Sequence, residues 1–190
     1  MFKVCIDPGH GGSDPGACGN DLRECDIVLI VSQMVRSYLE AVGYEVILTR
    51  DADVDVYGVD ATAAQELQAR CNISDNAGAD MFVSIHCNAA AAPEALGTET
   101  YYYALSAKGQ KLSAYINNQL VGLGLANRGI KSSPLYVTRH TNAVAALTEL
   151  AFISNVADAA KLGNTHWQDQ FARAVALGIT DYFANQEKAQ

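Results

Sequence analysis

The stretch VCIDPGHGG, residues 4–12, decides the fold of this chain because a buried strand runs into a glycine-rich turn there. The apolar run predicts a strand over residues 3–7, and the loop continues to Gly19. Apolar residues then recur at helical spacing over residues 23–42, and residues 44–49 form a second strand-like run. Strand, helix and strand in this order predict a βαβ unit with parallel strands.

The rest of the chain continues to alternate between strand and helix patterns. Two spacings typical of a capping box, Thr62 with Gln65 and Thr165 with Gln168, predict the starts of two further helices. The first of these helices should end at Gly78. The remaining predicted elements are a helix around residues 112–123 and strands at residues 81–85, 98–103, 135–138 and 144–149. This pattern predicts one α/β domain.

Composition excludes some classes of partner. The chain has 190 residues, of which 49% are hydrophobic and 18% charged, and its net charge is −8. An acidic surface argues against nucleic acid or an anionic membrane as the main partner. No apolar segment is long enough to predict a transmembrane helix. The start of the chain reaches Asp7 too early for a secretory signal, so we expect either another export route or a targeting segment outside this sequence.

Five cysteines are present, an odd number, and no pair has the spacing of a C-x-x-C motif. We expect reduced thiols, several of them in the core. A bridge between Cys18 and Cys25 is the alternative.

Two histidines and two glutamates lie where apolar runs end or where a helix begins. His10 follows the first strand, His86 follows residues 81–85, Glu149 closes residues 144–148, and Glu24 opens the first helix. The carboxyl ends of strands are where ligands and chemistry gather in an open α/β sheet. Two imidazoles and one carboxylate form a zinc ligand set, and another carboxylate can transfer protons. The pattern therefore predicts a metal-assisted hydrolase.

Each of these residues also has an ordinary explanation when it is taken alone. His10 lies in a glycine-rich loop, His86 could be a hydrogen-bonded core histidine, and Glu24 suits the first turn of a helix. The conjunction is more specific, because a parallel sheet brings the ends of its strands to one edge. The other histidines, His140 and His166, lack such a setting and are predicted to lie on the surface.

Motifs spread over nearly the whole chain resemble one family. The chain is similar to the zinc-dependent N-acetylmuramoyl-L-alanine amidases, the amidase-3 family, which trim bacterial peptidoglycan. The matching segments, in chain order, are residues 6–12, 14–17, Glu24, 48–51, Arg70, 84–89, 97–102, 127–131 and 149–155.

The resemblance implies both a fold and a mechanism. It implies a mostly parallel or mixed sheet of about six strands with helices on both faces. It implies that His10, Glu24 and His86 bind one zinc ion and that Glu149 is the catalytic acid/base. The reaction would be hydrolysis of the amide bond between the lactyl group of N-acetylmuramic acid and L-alanine.

Three further residues are predicted to contact the substrate or to support the ligands. Asp14 could orient a ligand histidine, Arg70 either supports the site or packs its helix, and Asn88 follows His86 in the motif. The chain departs from the family at Cys87, where a small residue such as alanine is usual. This departure suggests sensitivity to oxidation or metal contact.

The expected partner is peptidoglycan or its muropeptides, without nucleic acid or membrane insertion, at the bacterial cell wall outside the cytoplasm. We expect a monomer with a catalytic domain at residues 1–186 and a tail or linker at residues 187–190; a separate wall-binding domain is left open. The biological setting, such as phage lysis, sporulation, division or turnover, is also open. Two alternative functions are a wall-binding module without turnover and a zinc peptidase that acts on soluble peptides.

Overall fold

The computed structural model describes residues 1–187, and strands and helices alternate along most of this length. The strands are β1 (Lys3–Pro8), β2 (Cys18–Gly19), β3 (Leu22–Arg23), β4 (Glu45–Leu48), β5 (Met81–Asn88), β6 (Thr98–Tyr102), β7 (Asn127–Ser132) and β8 (Val144–Phe152). The helices are α1 (Glu24–Ala41), α2 (Ala63–Asn76), α3 (Ala107–Val121), α4 (Tyr136–His140), α5 (Val156–Leu162) and α6 (Thr165–Glu187).

Six of the strands form one mixed sheet in the order β4-β1-β5-β8-β6-β7. Strands β4, β1, β5 and β8 are parallel to one another, so the predicted βαβ unit is confirmed. Strand β6 runs antiparallel to β8, and β7 is parallel to β6. The short strands β2 and β3 form a separate hairpin just before α1. The predicted single α/β domain with about six strands is confirmed.

The two faces of the sheet are covered unequally. Alternate strand residues such as Val4, Val83 and Ala146 join the main hydrophobic cluster beneath α1, α3 and α6. On the opposite face, a smaller cluster packs beneath α2 and α4, and it contains Phe82 and Leu147 from the sheet. Helix α4 has only five residues. The smaller cluster therefore covers less of its face and leaves room for a cleft at the end of the strands.

Some predicted elements were wrong in type or position. Residues 135–138 were predicted as a strand but belong mostly to α4, and β7 and α5 were not predicted at all. The predicted capping box of Thr165 and Gln168 is also wrong. Asn164 caps α6 instead, because its Oδ1 accepts from the backbone N–H of Trp167 at 3.2 Å. The capping box of Thr62 and Gln65 is confirmed, with both of its hydrogen bonds present.

Other predictions concern the cysteines, the membrane and the end of the chain. All five cysteines lie within the described residues and are free thiols, as expected, so the Cys18–Cys25 bridge is absent. No helix in residues 1–187 has the length and apolar character to span a membrane. Of the tail predicted at residues 187–190, Glu187 ends α6 and the other three residues lie outside the described part.

Candidate active site

The candidate site lies at the carboxyl ends of the central strands, on the less covered face of the sheet. His86 on β5 and Glu149 on β8 are partners in the parallel register, so both side chains leave the sheet on the same face. A cleft of about 520 Å³ opens there. His10 and His86 both line the cleft. Leu67 and Arg70 from α2 and Tyr136 from α4 line it as well. The fold thus brings two of the four predicted residues together through strand pairing alone.

The loop after β1 holds His10 in an unusual backbone conformation. His10 has a φ of 58°, in the left-handed region that residues with a side chain rarely adopt. Two buried arginines bind the carbonyl groups of this loop. Arg70 donates to the carbonyl of His10 at 2.7 Å, and Arg50 donates to those of Pro8 and Gly9 at 3.0 and 2.8 Å. These contacts stabilise the strained turn that aims the imidazole at the cleft.

Glu24, the first residue of α1, places its carboxylate between the two histidines. Its Oε1 lies 3.2 Å from His10 Nε2 and 3.0 Å from His86 Nδ1. Two backbone N–H groups also bind this carboxylate: Cys87 donates to Oε1 at 2.9 Å and Ala17 donates to Oε2 at 2.8 Å. One atom each from His10, Glu24 and His86 therefore lies within 4.8 Å of the other two.

In both His10 and His86, the ring nitrogen that points away from Glu24 has a hydrogen-bond partner of its own. His10 Nδ1 lies 2.7 Å from Asp14 Oδ2, and His86 Nε2 lies 3.1 Å from Ser84 Oγ. Because a carboxylate only accepts, Nδ1 of His10 must carry a hydrogen. With the hydrogen on Nδ1, Nε2 of His10 faces the carboxylate of Glu24 favourably only when a proton or a metal cation lies between the two atoms.

The charges around Glu24 are consistent with such a cation. Burial alone would raise the pKa of Glu24, but hydrogen bonds with His10 and His86 hold it well below its usual range. Burial opposes protonation of His10, yet Glu24 and Asp14 raise the pKa of His10 to about 9. The site thus stabilises positive charge at the point where the three groups meet. Two imidazoles and a carboxylate form a known zinc ligand set, so these residues fit a zinc ion.

Glu149 is half-buried, and one of its carboxylate oxygens lacks the hydrogen-bond partner that a buried oxygen normally has. Within the described residues, its Oε2 is buried and has no hydrogen-bond partner. Burial raises the pKa of Glu149 to about 7, although His86 opposes this rise. A carboxylate with a free oxygen and a pKa near neutrality can accept and release a proton, as a general acid/base must.

The structure also reveals a buried hydrogen-bonded network that sequence reasoning missed. Asp7 is 1% exposed, and its carboxylate accepts from Thr49 Oγ1, Arg70 Nη1 and Ser84 Oγ at 2.5, 2.8 and 2.7 Å. Burial would raise the pKa of Asp7, but Arg70 and the two hydroxyl groups lower it. An acidic residue in the apolar run at residues 4–7 was the available signal, since a buried carboxylate requires partners.

The residues predicted to contact the substrate or to support the ligands occupy different places. Asp14 lies against His10, and Arg70 joins Asp7 to the His10 loop, as described above. Asn88 instead donates to Glu99 Oε1 at 2.8 Å. Glu99 also accepts from Arg128 and Lys131. Glu99 lies on β6, where it is the register partner of Glu149 on β8. Asn88 thus belongs to a charged cluster beside Glu149.

None of the remaining predicted positions contributes a side chain to the candidate ligand group of His10, Glu24 and His86. Cys87 is 3% exposed and packs in the main hydrophobic cluster, on the face of the sheet opposite His86. His140 and His166 are exposed, as predicted. His140 ends α4 and stacks on Tyr136.

Comparison with known proteins identifies the family. The sequence profile of the N-acetylmuramoyl-L-alanine amidases matches residues 4–181. The chain belongs to this amidase family. It is 34% identical to the germination-specific N-acetylmuramoyl-L-alanine amidase of Bacillus subtilis, over 95% of this chain and 79% of that protein. It is 36% identical to the amidase LytC of the same organism, again over 95% of this chain but only 35% of LytC.

A solved amidase has the same architecture. The CwlD amidase of Clostridioides difficile, whose structure is of a complex with the GerS lipoprotein, superposes on this chain with a TM-score of 0.91. The two are 32% identical, and the match covers 97% of this chain and 99% of CwlD. The amidase fold therefore accounts for nearly the whole chain.

Proposed function

We propose that this amidase hydrolyses the bond between the lactyl group of N-acetylmuramic acid and L-alanine in peptidoglycan, and that it uses one zinc ion. The observation that carries the proposal is the convergence of His10, Glu24 and His86 beside a carboxylate with a free oxygen. Family membership supports the substrate, and the donor set supports the metal. The substrate places the action of the enzyme at the bacterial cell wall.

His10 Nε2, Glu24 Oε1 and His86 Nδ1 would hold the ion. When bound, zinc supplies a Lewis acid that polarises a carbonyl group and lowers the pKa of a coordinated water. Glu149 removes a proton from the attacking water and returns it to the departing alanine nitrogen. The raised pKa of Glu149 suits both steps, since the group can change its protonation state near neutral pH.

The cleft gives the substrate room beside these groups. Its volume of about 520 Å³ is within the usual range for ligand sites, and its lining combines apolar residues from α2 and α4 with charged groups. A peptide next to the scissile amide could lie along this surface. Arg70 forms part of the lining, but three carbonyl or carboxylate groups already engage its guanidinium. We therefore assign Arg70 to supporting the site.

A single substitution tests the role of Glu149. Glu149→Gln removes the proton acceptor while it keeps the size of the side chain. We expect the rate of hydrolysis to fall by about 10²–10⁴-fold, with zinc content unchanged, since Glu149 is not among the three proposed ligands. The assay uses purified muropeptides and mass spectrometry of the products. Glu40→Gln, at an exposed position on α1, is the matched control.

The products and the metal dependence separate this proposal from its alternatives. Hydrolysis by the amidase releases the muramyl sugar and an intact stem peptide with a free alanine amine. Cleavage between residues of the stem peptide would instead identify a peptidase, and binding to walls without turnover would identify a non-enzymatic module. Removing zinc with a chelator should abolish activity, and adding it back should restore activity. Full activity in metal-free protein would contradict the zinc proposal.

A further inference from the structure

The two candidate histidine ligands present different nitrogens to Glu24. His10 faces Glu24 with Nε2, whereas His86 faces it with Nδ1. Asp14 accounts for the orientation of His10, because its carboxylate accepts from Nδ1. His86 has no carboxylate in the corresponding position. Its Nε2 meets the hydroxyl group of Ser84, which can either donate or accept.

Strand pairing aligns the groups behind His86. Ser84 and His86 are two residues apart on β5, so their side chains lie on the same face of the sheet. Asp7 on β1 is the register partner of Ser84. The three side chains therefore form a row across two strands, and Ser84 Oγ lies 3.1 Å from His86 Nε2 and 2.7 Å from Asp7 Oδ2.

The carboxylate of Asp7 determines which atom donates and which accepts in each hydrogen bond of this row. An ionised carboxylate only accepts hydrogen bonds, so Ser84 must use its single hydrogen to donate to Asp7. Ser84 Oγ can then only accept from His86, and Nε2 of His86 must carry a hydrogen. A neutral imidazole with a hydrogen on Nε2 has its lone pair on Nδ1, the atom that faces Glu24.

We propose that Ser84 and Asp7 are positioning residues that fix the tautomer and the ring orientation of His86, so that Nδ1 is the metal-binding nitrogen. Arg70 extends this role, because its guanidinium binds both the carboxylate of Asp7 and the carbonyl of His10. One buried ion pair thus supports both imidazoles: His86 through Ser84, and His10 through its backbone. The metal-binding part of this inference rests on the proposed function, whereas the tautomer does not.

Removing the hydroxyl group tests the proposal. In Ser84→Ala, the Nε2 hydrogen of His86 loses its acceptor, and the ring is free to rotate or to change tautomer. We expect zinc affinity, measured by competition with a chromophoric chelator, to fall about 10- to 100-fold. Ser84→Thr keeps a hydroxyl group and should recover most of this loss. Ser113→Ala removes another fully buried serine hydroxyl, located on α3, and should leave zinc affinity unchanged.

Nitrogen-15 spectra of the histidine rings provide a second measurement that does not depend on activity. Metal-free and zinc-loaded wild-type protein should both show a hydrogen on Nε2 of His86, protected from exchange, and Ser84→Ala should lose that protection. Circular dichroism and urea unfolding would establish that each variant is folded. A hydrogen on Nδ1 in zinc-loaded wild type, or unchanged affinity and protection in Ser84→Ala, would overturn the proposal. If wild-type protein bound no zinc, the proposed function would fail, while the spectra of metal-free protein would still decide on the tautomer.

Discussion

Asp7 and Arg70 form an ion pair with almost no access to solvent, since the two residues are 1% and 5% exposed. Removing one member of such a pair leaves an uncompensated charge in the interior. We expect Arg70→Met to lower the free energy of unfolding by about 3–5 kcal/mol, as measured by urea denaturation. Arg173→Met breaks an exposed pair with Asp169 and should lower the free energy of unfolding much less, because solvent screens that pair. Equal losses in the two variants would contradict a special role for the buried pair.

Gly9 shows how closely the backbone approaches a candidate ligand. A Cβ at this position would lie 2.2 Å from Cε1 of His86, so a side chain must displace the imidazole. We expect Gly9→Ala to lose most of its zinc binding in the chelator assay. Gly43→Ala is the contrasting variant, because Gly43 has a φ of 91° and open space around it. That variant should lose about 1 kcal/mol of stability and keep its zinc affinity. Normal zinc binding by Gly9→Ala would mean that the ring does not need its present position.

The main candidate residues could be predicted because each has a local signal. His10, His86 and Glu149 follow apolar runs, and parallel strands must end at one edge of the sheet. The roles of Asp7 and Ser84 could not be predicted in the same way. Their function depends on the register that makes them neighbours on β1 and β5, and apolar patterning does not specify that register.

The wrong predictions of secondary structure fall on elements whose sequence patterns are weak or ambiguous. Residues 135–138 form a short run of β-branched and apolar residues, which is typical of a strand. The short helix α4 forms there instead, and its Val137 packs in the smaller hydrophobic cluster beneath α2. Strand β7 has only polar or half-buried positions at the sheet edge, so it lacks the alternation that marks a strand. Long elements with one clear apolar face, such as α1, were predicted to within a residue of each end.

The start of α6 allows a direct test of which residue caps a helix. Asn164 Oδ1 accepts from the N–H of Trp167, whereas Thr165 is already the first helical residue. We expect Asn164→Ala to lower the free energy of unfolding by about 1 kcal/mol. Thr165→Ala, the variant that the sequence pattern alone would favour, should change stability much less. Urea denaturation of both variants decides between the two caps, and a larger loss in Thr165→Ala would contradict the structure.

At the scale of the whole molecule, the two faces of the sheet are covered unequally, so the larger hydrophobic cluster and the candidate active site lie on opposite faces. Helices α1, α3 and α6 bury one face in the larger cluster, which includes fully buried residues such as Phe171 and Ile116. The opposite face carries Asp7, Ser84, His86 and Glu149 at the carboxyl ends of its strands. Polar and charged groups can gather there because the smaller cluster does not seal that end. Substitutions in the larger cluster should therefore affect folding, whereas substitutions of His86 or Glu149 at the open end should affect catalysis.

The charged cluster around Glu99 predicts how the whole molecule responds to acid. Burial would raise the pKa of Glu99, but hydrogen bonds from Lys131, Tyr101 and Arg128 lower it to about 2, from an ordinary value of 4.5. As pH falls below about 4.5, the unfolded chain takes up this proton before the folded chain does, so protonation favours unfolding. The stability that Glu99 contributes is complete above that pH and is lost progressively down to about pH 2. Asp7, whose pKa is also lowered, contributes in the same direction.

Glu99→Gln isolates this contribution. The variant should be less stable than wild type at neutral pH, because Lys131 and Arg128 lose their shared carboxylate. Its free energy of unfolding should also fall less steeply between about pH 4.5 and 2, by up to about 1.4 kcal/mol per pH unit for one proton. Urea denaturation at a series of pH values measures both effects, and Glu40→Gln on the exposed side of α1 should retain the wild-type slope. If the curves of Glu99→Gln and wild type were parallel through this window, the proton uptake would have to be assigned to other carboxylates.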